Sequence, residues 1–326
     1  MFAYVVRRLL LLVPMAIGMV VVTFGLLLII PGDPAAVLLG QDATPEAIAN
    51  LRGALGLDDP WYVRLWDYFA GLLQGDMGRS IFLNQAVSQI IMGRLGATIE
   101  LAVVALIIAT LIGLTLGIVA AMRQGSLVDT LTMLFAQLGV SMPVYWLGLL
   151  LMLLFAVQLG WLPAIGRGPP MIDAIGAALT GRPGVLWDSL RHIALPALAL
   201  AASSAAIISR LVRASMLEVL REDFVRTAYA KGLRRGRVVV RHALRNALLP
   251  VLSVIGLRFG ALLGGAVITE SIFAWPGLGQ LTIAAISQRD LPLIQGLVLT
   301  FAIIFALVNL VVDLLYAAVD PRIRLR

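Results

Sequence analysis

The sequence predicts an all-α membrane protein with six transmembrane helices. Three observations carry that expectation. The 326 residues are 60% apolar and only 13% charged, about half the charged share of a soluble domain. The mean hydropathy is +0.98. Apolar runs near 9–30, 98–121, 131–159, 193–212, 249–270 and 292–318 each approach the roughly 20 residues needed to cross about 30 Å of hydrocarbon.

The first run follows Arg7 and Arg8 and ends in PGDP. It is longer than the apolar stretch of a signal peptide and lacks a small-residue cleavage site, so it reads as a retained anchor. Residues 1–30 then form an N-terminal span, 31–97 a segment outside the membrane, and 98–326 a five-helix core. Within 31–97, Thr44-Pro45-Glu46 supplies an N-cap, a proline at the first helical position and a first-turn acid. A helix should run from there to about Leu55 and stop near Gly56. The aromatic stretch from Trp61 to Leu73 suits the membrane interface, where tryptophan and tyrosine gather at headgroup depth; contact with an outside partner is its alternative. The third run has room for an interfacial extension. The fourth is the most polar, with Ser203, Ser204 and Ser209.

Charge sets the orientation. Arg7, Arg8, Arg123, nine basic residues in 213–250, and Arg322, Arg324 and Arg326 make fifteen on one side. The other side carries eight, beside seven acids in 31–97. Both termini are expected in the cytoplasm.

The loop 213–250 is too long and too amphipathic to be a mere connector. Its basic residues are Arg213, Arg221, Arg226, Lys231, Arg234, Arg235, Arg237, Arg241 and Arg245, against Glu218, Glu222 and Asp223. Met216–Asp223 should continue the fourth span. Phe224–Gly232 should form a short helix closed by glycine. Arg237–Asn246 should form a basic helix leading to Pro250 at the start of the fifth span. A short helix lying across the membrane face can fit a groove on a soluble protein and transmit rigid-body motion.

Several chemistries are excluded. There is no cysteine, hence no disulfide, thiolate metal site or cysteine nucleophile. His192 and His242 stand in no paired-ligand spacing, so no metal site is expected. The sole lysine, Lys231, precedes Gly232, so no phosphate-binding loop with lysine before serine or threonine exists. ATP, if used, binds another chain. The basic residues lie at span ends and in one loop, without the interleaved aromatics of a single-strand binder, so no nucleic acid is expected.

RTAYAKG at 226–232 with HALRNALLP at 242–250 resembles the EAA loop of ABC importer permeases. The closer resemblance is to the dipeptide/oligopeptide/nickel branch. GDMGRS at 75–80, RLGATIEL at 94–101, SMPVYWLG at 141–148, LGWLP at 159–163, HIALP at 192–196, ESIFAWPGLGQL at 270–281 and RDLP at 289–292 all look like that branch, in order and over nearly the whole chain. Arg226 stands where the general pattern has Glu, and Thr227 where it has the first Ala. The match is to the first of the two permeases in such systems. It implies the permease fold with a cytoplasmic coupling helix and no chemistry of its own. It also implies a second homologous permease, two cytoplasmic ABC ATPases that hold ATP and Mg, and an extracytoplasmic substrate-binding protein. Arg226, Thr227, Ala228, Ala230, Lys231 and Gly232 would then dock the ATPase, with the small residues allowing close approach. The plainer reading of the basic residues is attraction to anionic lipid. Peptides are the expected cargo; nickel chelates, glutathione and oligosaccharides are alternatives within the branch.

Charges inside spans are costly and point to function. Arg258 and Asp313 lie at matching depths, about 12 and 10 Å from the inner ends of their spans at 1.5 Å per residue, and are candidates to pair or line the pathway; the plainer reading is two separate residues satisfied by backbone, water or a partner chain. Gly256, Gly260 and Gly264 repeat on one face of the fifth span, as do Gly113 and Gly117 in the second. Such faces let helices approach closely. Two rivals are weaker. A secondary transporter would want a self-contained pathway with repeats. An intramembrane enzyme would want paired carboxylates or a Ser/His pair at matched depth.

Overall fold

The computed structural model describes residues 2–29, 33–40 and 43–319, and among these the chain is helical with no strand. The helices are α1 (Phe2–Ile29), α2 (Pro34–Leu39), α3 (Pro45–Ala54), α4 (Trp61–Leu73), α5 (Val87–Met122), α6 (Leu127–Ser141) and α7 (Val144–Leu151). Then come α8 (Met171–Leu179), α9 (Pro183–Val219), α10 (Asp223–Ala230), α11 (Arg235–Arg237), α12 (Leu244–Ile272), α13 (Leu278–Gln288) and α14 (Leu291–Val319). Wider π-helical stretches, Met152–Gln158 and Val238–Ala243, extend α7 and lead into α12.

Among the described residues, four helical stretches are long and apolar enough to cross a membrane: Val87–Met122, Pro183–Val219, Pro250–Ile272 and Leu291–Val312. The third expected run is not one straight span. It is α6 and α7 with its π extension, bent by 108°. Pro143 is the cause: proline pushes the residue before it out of the helical region, and Met142 is extended at φ −82°, ψ 127°. The first expected run, as far as it is described, lies in α1, whose apolar stretch is Val13–Gly25. Pro250 does not open the fifth helix as expected. It sits inside α12, which is continuous with the basic stretch before it.

Two compact units emerge, and they cut the chain differently from the linear division read above. One takes residues up to Thr98 together with Pro276–Leu307; the other takes Ile99–Trp275 and the chain from Val308 on.

In the first unit, Val87, Ile91, Leu278, Leu281, Ala285, Leu293, Ile294 and Leu297 form the apolar core. Gly296 makes it close: a Cβ there would stand 2.4 Å from Val87. Asp290 is fully buried. Its carboxylate accepts from Ser80 Oγ at 2.5 Å and from the backbone N–H groups of Ile81 and Leu293 at 3.2 and 3.3 Å. One aspartate thus caps α14 and pins residues 80–81, joining the GDMGRS and RDLP strings. Thr44 caps α3 as read, its Oγ1 accepting from Ala47 N–H at 3.3 Å, with Gly56 at φ +64° beyond the helix end. Helix α2 escaped the sequence reading, although Asp33-Pro34 carries the same signal: the Asp33 side chain accepts from Ala35 N–H at 2.9 Å.

In the second unit, α9 is the central helix, packed by α6, α7, α8 and α12. The glycine pair of α5 does what small residues do in membrane helices, bringing backbones together. A Cβ at Gly113 would lie 2.7 Å from Ile208, and one at Gly117 would lie 2.6 Å from the Ser209 carbonyl. Asp129, near the start of α6, is buried and accepts a bidentate bond from Arg213 on α9, at 2.6 and 2.7 Å.

Candidate functional site

The loop between α9 and α12 is built around a small core of its own. Val225, Ala228 and Val238 are buried together, with Val219, Leu220 and Leu233 packed against them. Positions 225 and 228 are one helical turn apart, so α10 turns a single apolar edge inward. That edge ties α10 to the end of α9 and to the residues leading into α12.

The end of α10 is closed by its own backbone. Gly232 N–H donates to the Tyr229 carbonyl at 2.9 Å and Leu233 N–H to the Ala228 carbonyl at 3.4 Å. This paired arrangement is a Schellman motif, completed by the apolar contact of Leu233. It needs a left-handed residue, and Gly232 supplies it at φ +76°.

The outward side of α10 presents Phe224, Arg226, Thr227, Tyr229 and Ala230, followed by Lys231 and Gly232. Five of the six residues expected on the docking face are therefore exposed. The sixth, Ala228, is turned inward, because it completes the small core that positions the helix. Phe224 and Tyr229, each 42% exposed, were missed as surface residues; the amphipathic spacing of Val225 and Ala228 was the signal that could have found them.

The nine basic residues of the loop fall into different roles. Arg213 is consumed by Asp129. Arg235 donates to the Met122 carbonyl at 3.2 Å and so caps the end of α5. Arg226 meets Asp223 at 3.4 Å, with both side chains in solvent, a pairing worth little. Arg221, Lys231, Arg234, Arg237, Arg241 and Arg245 are exposed and without a partner among the described residues. No acidic residue occurs between Phe224 and Thr269, so the surface beside α10 is uniformly positive.

The remaining expectations fare unevenly. Gly256 packs tightly, since a Cβ there would lie 2.4 Å from Val312 of α14. Gly260 is buried. Gly264 faces open space, with nothing within 4 Å of a Cβ, and is not a packing glycine within this chain. Arg258 is half-buried on α12. Asp313 lies on α14, but its side chain is outside the described residues, so the pair stays an expectation. Glu100, on α5, is ion-paired with Arg167, whose guanidinium lies 5.7 Å from the Trp275 ring. No group of three or more metal-binding side chains occurs among the described residues.

Comparison with known proteins identifies this arrangement. Residues 113–325 match the binding-protein-dependent transport system inner membrane component family, and residues 1–102 match the N-terminal domain of the same kind of membrane component. The chain belongs to this family. A dipeptide transport system permease protein of Alkalihalophilus pseudofirmus is 48% identical over 99% of this chain and 100% of its own. A di/tripeptide permease of Pseudomonas aeruginosa is 45% identical, and a glutathione permease of Salmonella typhimurium 42%, each covering 99% of both chains. Inward-facing structures of the MetNI methionine ABC transporter share the fold, with TM-scores of 0.56 and 0.57 at 17% and 16% identity. They cover 72% and 71% of this chain and 97% of theirs. The chain is thus a multi-pass inner-membrane component of a binding-protein-dependent transport system.

Proposed function

We propose that this chain is the permease subunit of an ATP-driven peptide importer and that α10 is the element its ATPase grips. The observation that carries the reading is the construction of α10. Val225 and Ala228 root it in the chain, while Phe224, Arg226, Thr227, Tyr229, Ala230 and Lys231 stand exposed. A helix held this way moves as one body with the ends of α9 and α12. Force applied to it reaches two membrane helices without passing through a flexible linker.

The basic loop and both termini face the cytoplasm in this reading. Two ABC ATPases hold ATP and Mg and bind this loop and that of a second permease. Arg226 and Lys231 meet acidic groups or helix C-termini on the ATPase. Closure of the ATPases draws the two loops together and opens the pathway outward, where a binding protein releases the peptide; hydrolysis returns it inward. Arg258 and Asp313 contribute polar groups to the pathway. The dipeptide and di/tripeptide relatives favour peptide cargo, and the glutathione relative makes a modified tripeptide the second reading.

The test is reconstitution of this chain with its second permease, ATPases and binding protein in proteoliposomes, followed by ATP-dependent uptake of labelled dipeptide and of glutathione. Wild type is expected to take up the dipeptide. Val225→Asp and Gly232→Trp are expected to abolish uptake and release or uncouple the ATPases. Uptake without any ATPase would overturn the permease reading. Uptake unchanged in both variants would overturn the role of α10. Glutathione uptake alone would reassign the cargo.

A further inference from the structure

Helix α4 carries a face that nothing in the chain covers. Trp61, Tyr62, Val63, Trp66, Asp67 and Leu73 are exposed, with Trp66 72% and Leu73 91% accessible. Tyr62, Trp66, Phe69 and Leu73 recur at steps of four, three and four residues, a single apolar stripe on a helix. Asp67 lies off that stripe. The opposite edge, with Arg64, Leu65, Tyr68 and Leu72, is turned inward. There the Tyr68 hydroxyl is buried without a partner among the described residues, and burial pushes its pKa up to about 12.

One contact fixes the depth of this helix. The Arg64 guanidinium lies 5.6 Å from the Phe24 ring, and Phe24 is buried in α1, five residues before Ile29 at its end. Five residues of helix span about 8 Å. Helix α4 therefore lies beside the last turns of α1, the helix whose apolar stretch Val13–Gly25 is expected to anchor the chain in the membrane.

We infer that α4 is an interfacial helix whose Tyr62, Trp66 and Leu73 face seats in the lipid headgroup–acyl boundary of the leaflet where α1 ends. Tryptophan and tyrosine suit that layer because their rings are apolar and their N–H and O–H groups reach water. Asp67, at the helix edge away from the stripe, stays hydrated. The stripe is committed to lipid, so it is not the surface that receives a soluble partner.

The native chain has no cysteine, which makes a direct test available. Single cysteines replacing Tyr62, Trp66, Asp67 and Leu73 are spin-labelled in the full transporter, in a cysteine-free background in lipid nanodiscs. Collision with oxygen, which concentrates in lipid, is compared with collision with a water-soluble nickel chelate. Oxygen is expected to dominate at 62, 66 and 73, and the chelate at 67. Chelate dominance at 62, 66 and 73 would overturn the proposal by placing the face in water. Low accessibility to both reagents there would overturn it by revealing a protein cover, and the same labels with and without binding protein would say whether that protein is the cover. Leu65→Cys, on the inward edge, should stay shielded from both and reports that the helix is folded.

Discussion

The α5–α9 contact and the α10 loop belong to the same unit, yet they are built on opposite principles. At Gly113 and Gly117 the backbones approach so closely that a single added carbon meets a neighbour at 2.7 and 2.6 Å. At α10, Val225 and Ala228 are buried against Val238, and the other side chains of the helix are exposed. The first region has no free space and little chemistry. The second has much chemistry and little packing. Membrane helices lack a hydrophobic drive toward one another and rely on close approach. A docking helix has to leave its binding face free, so a minimal core must hold it.

Substitutions can break this contrast, beginning with the most severe. Gly117→Leu should cost about 1–3 kcal/mol or more, because overpacking here meets a backbone carbonyl that cannot step aside. The check is the melting temperature of the purified transporter, with Gly264→Ala, which meets open space, as the unchanged control. Asp129→Ala should cost about 1.5–3 kcal/mol by removing a charged bidentate bond. A double-mutant cycle with Arg213→Ala should recover most of that as coupling, whereas Asp223→Ala at the exposed Arg226 pair should change stability by less than about 0.5 kcal/mol.

Gly232→Ala should cost about 1–2 kcal/mol, since a Cβ disfavours the left-handed conformation. Its effect should stay local, read as faster hydrogen exchange at Gly232 and Leu233 with that of α9 unchanged. The contrast is sharpened by Lys231→Glu. Stability should stay within about 0.5 kcal/mol, while co-purification of the ATPase falls; equal loss of both would mean that the exposed face has a structural duty. Opposite in sign, Tyr68→Phe should be neutral or stabilise by up to about 1 kcal/mol, since it removes a buried hydroxyl without a partner among the described residues. The same tyrosine gives a pH signature. Its folded pKa is raised, so its contribution is intact below about pH 10 and fades as pH climbs toward about 12. Tyr68→Phe should abolish that fading in alkaline melts.

Much of the architecture was legible because it is local. Hydropathy located the apolar runs, Thr44-Pro45 marked the start of α3, and Gly232 marked the end of α10. The break in the third run was also legible, since Pro143 disfavours a helical conformation at Met142, but the continuous apolar composition masked it. The misplaced start of α12 has a similar origin: a proline suggested a beginning, yet the helix runs through it.

Sequence alone determined the class of the chain, most of its long helices and the position of the basic loop. Those properties follow from composition and from neighbours within a turn. Only the tertiary structure decided which arginines are spent and which are free, which glycines touch a helix, and that Ala228 faces inward. Asp129 and Arg213 are 84 residues apart, and Ser80 and Asp290 are 210 apart. A helical period gives each residue a direction around its own axis; the identity of the side chain it meets is set when distant helices pack.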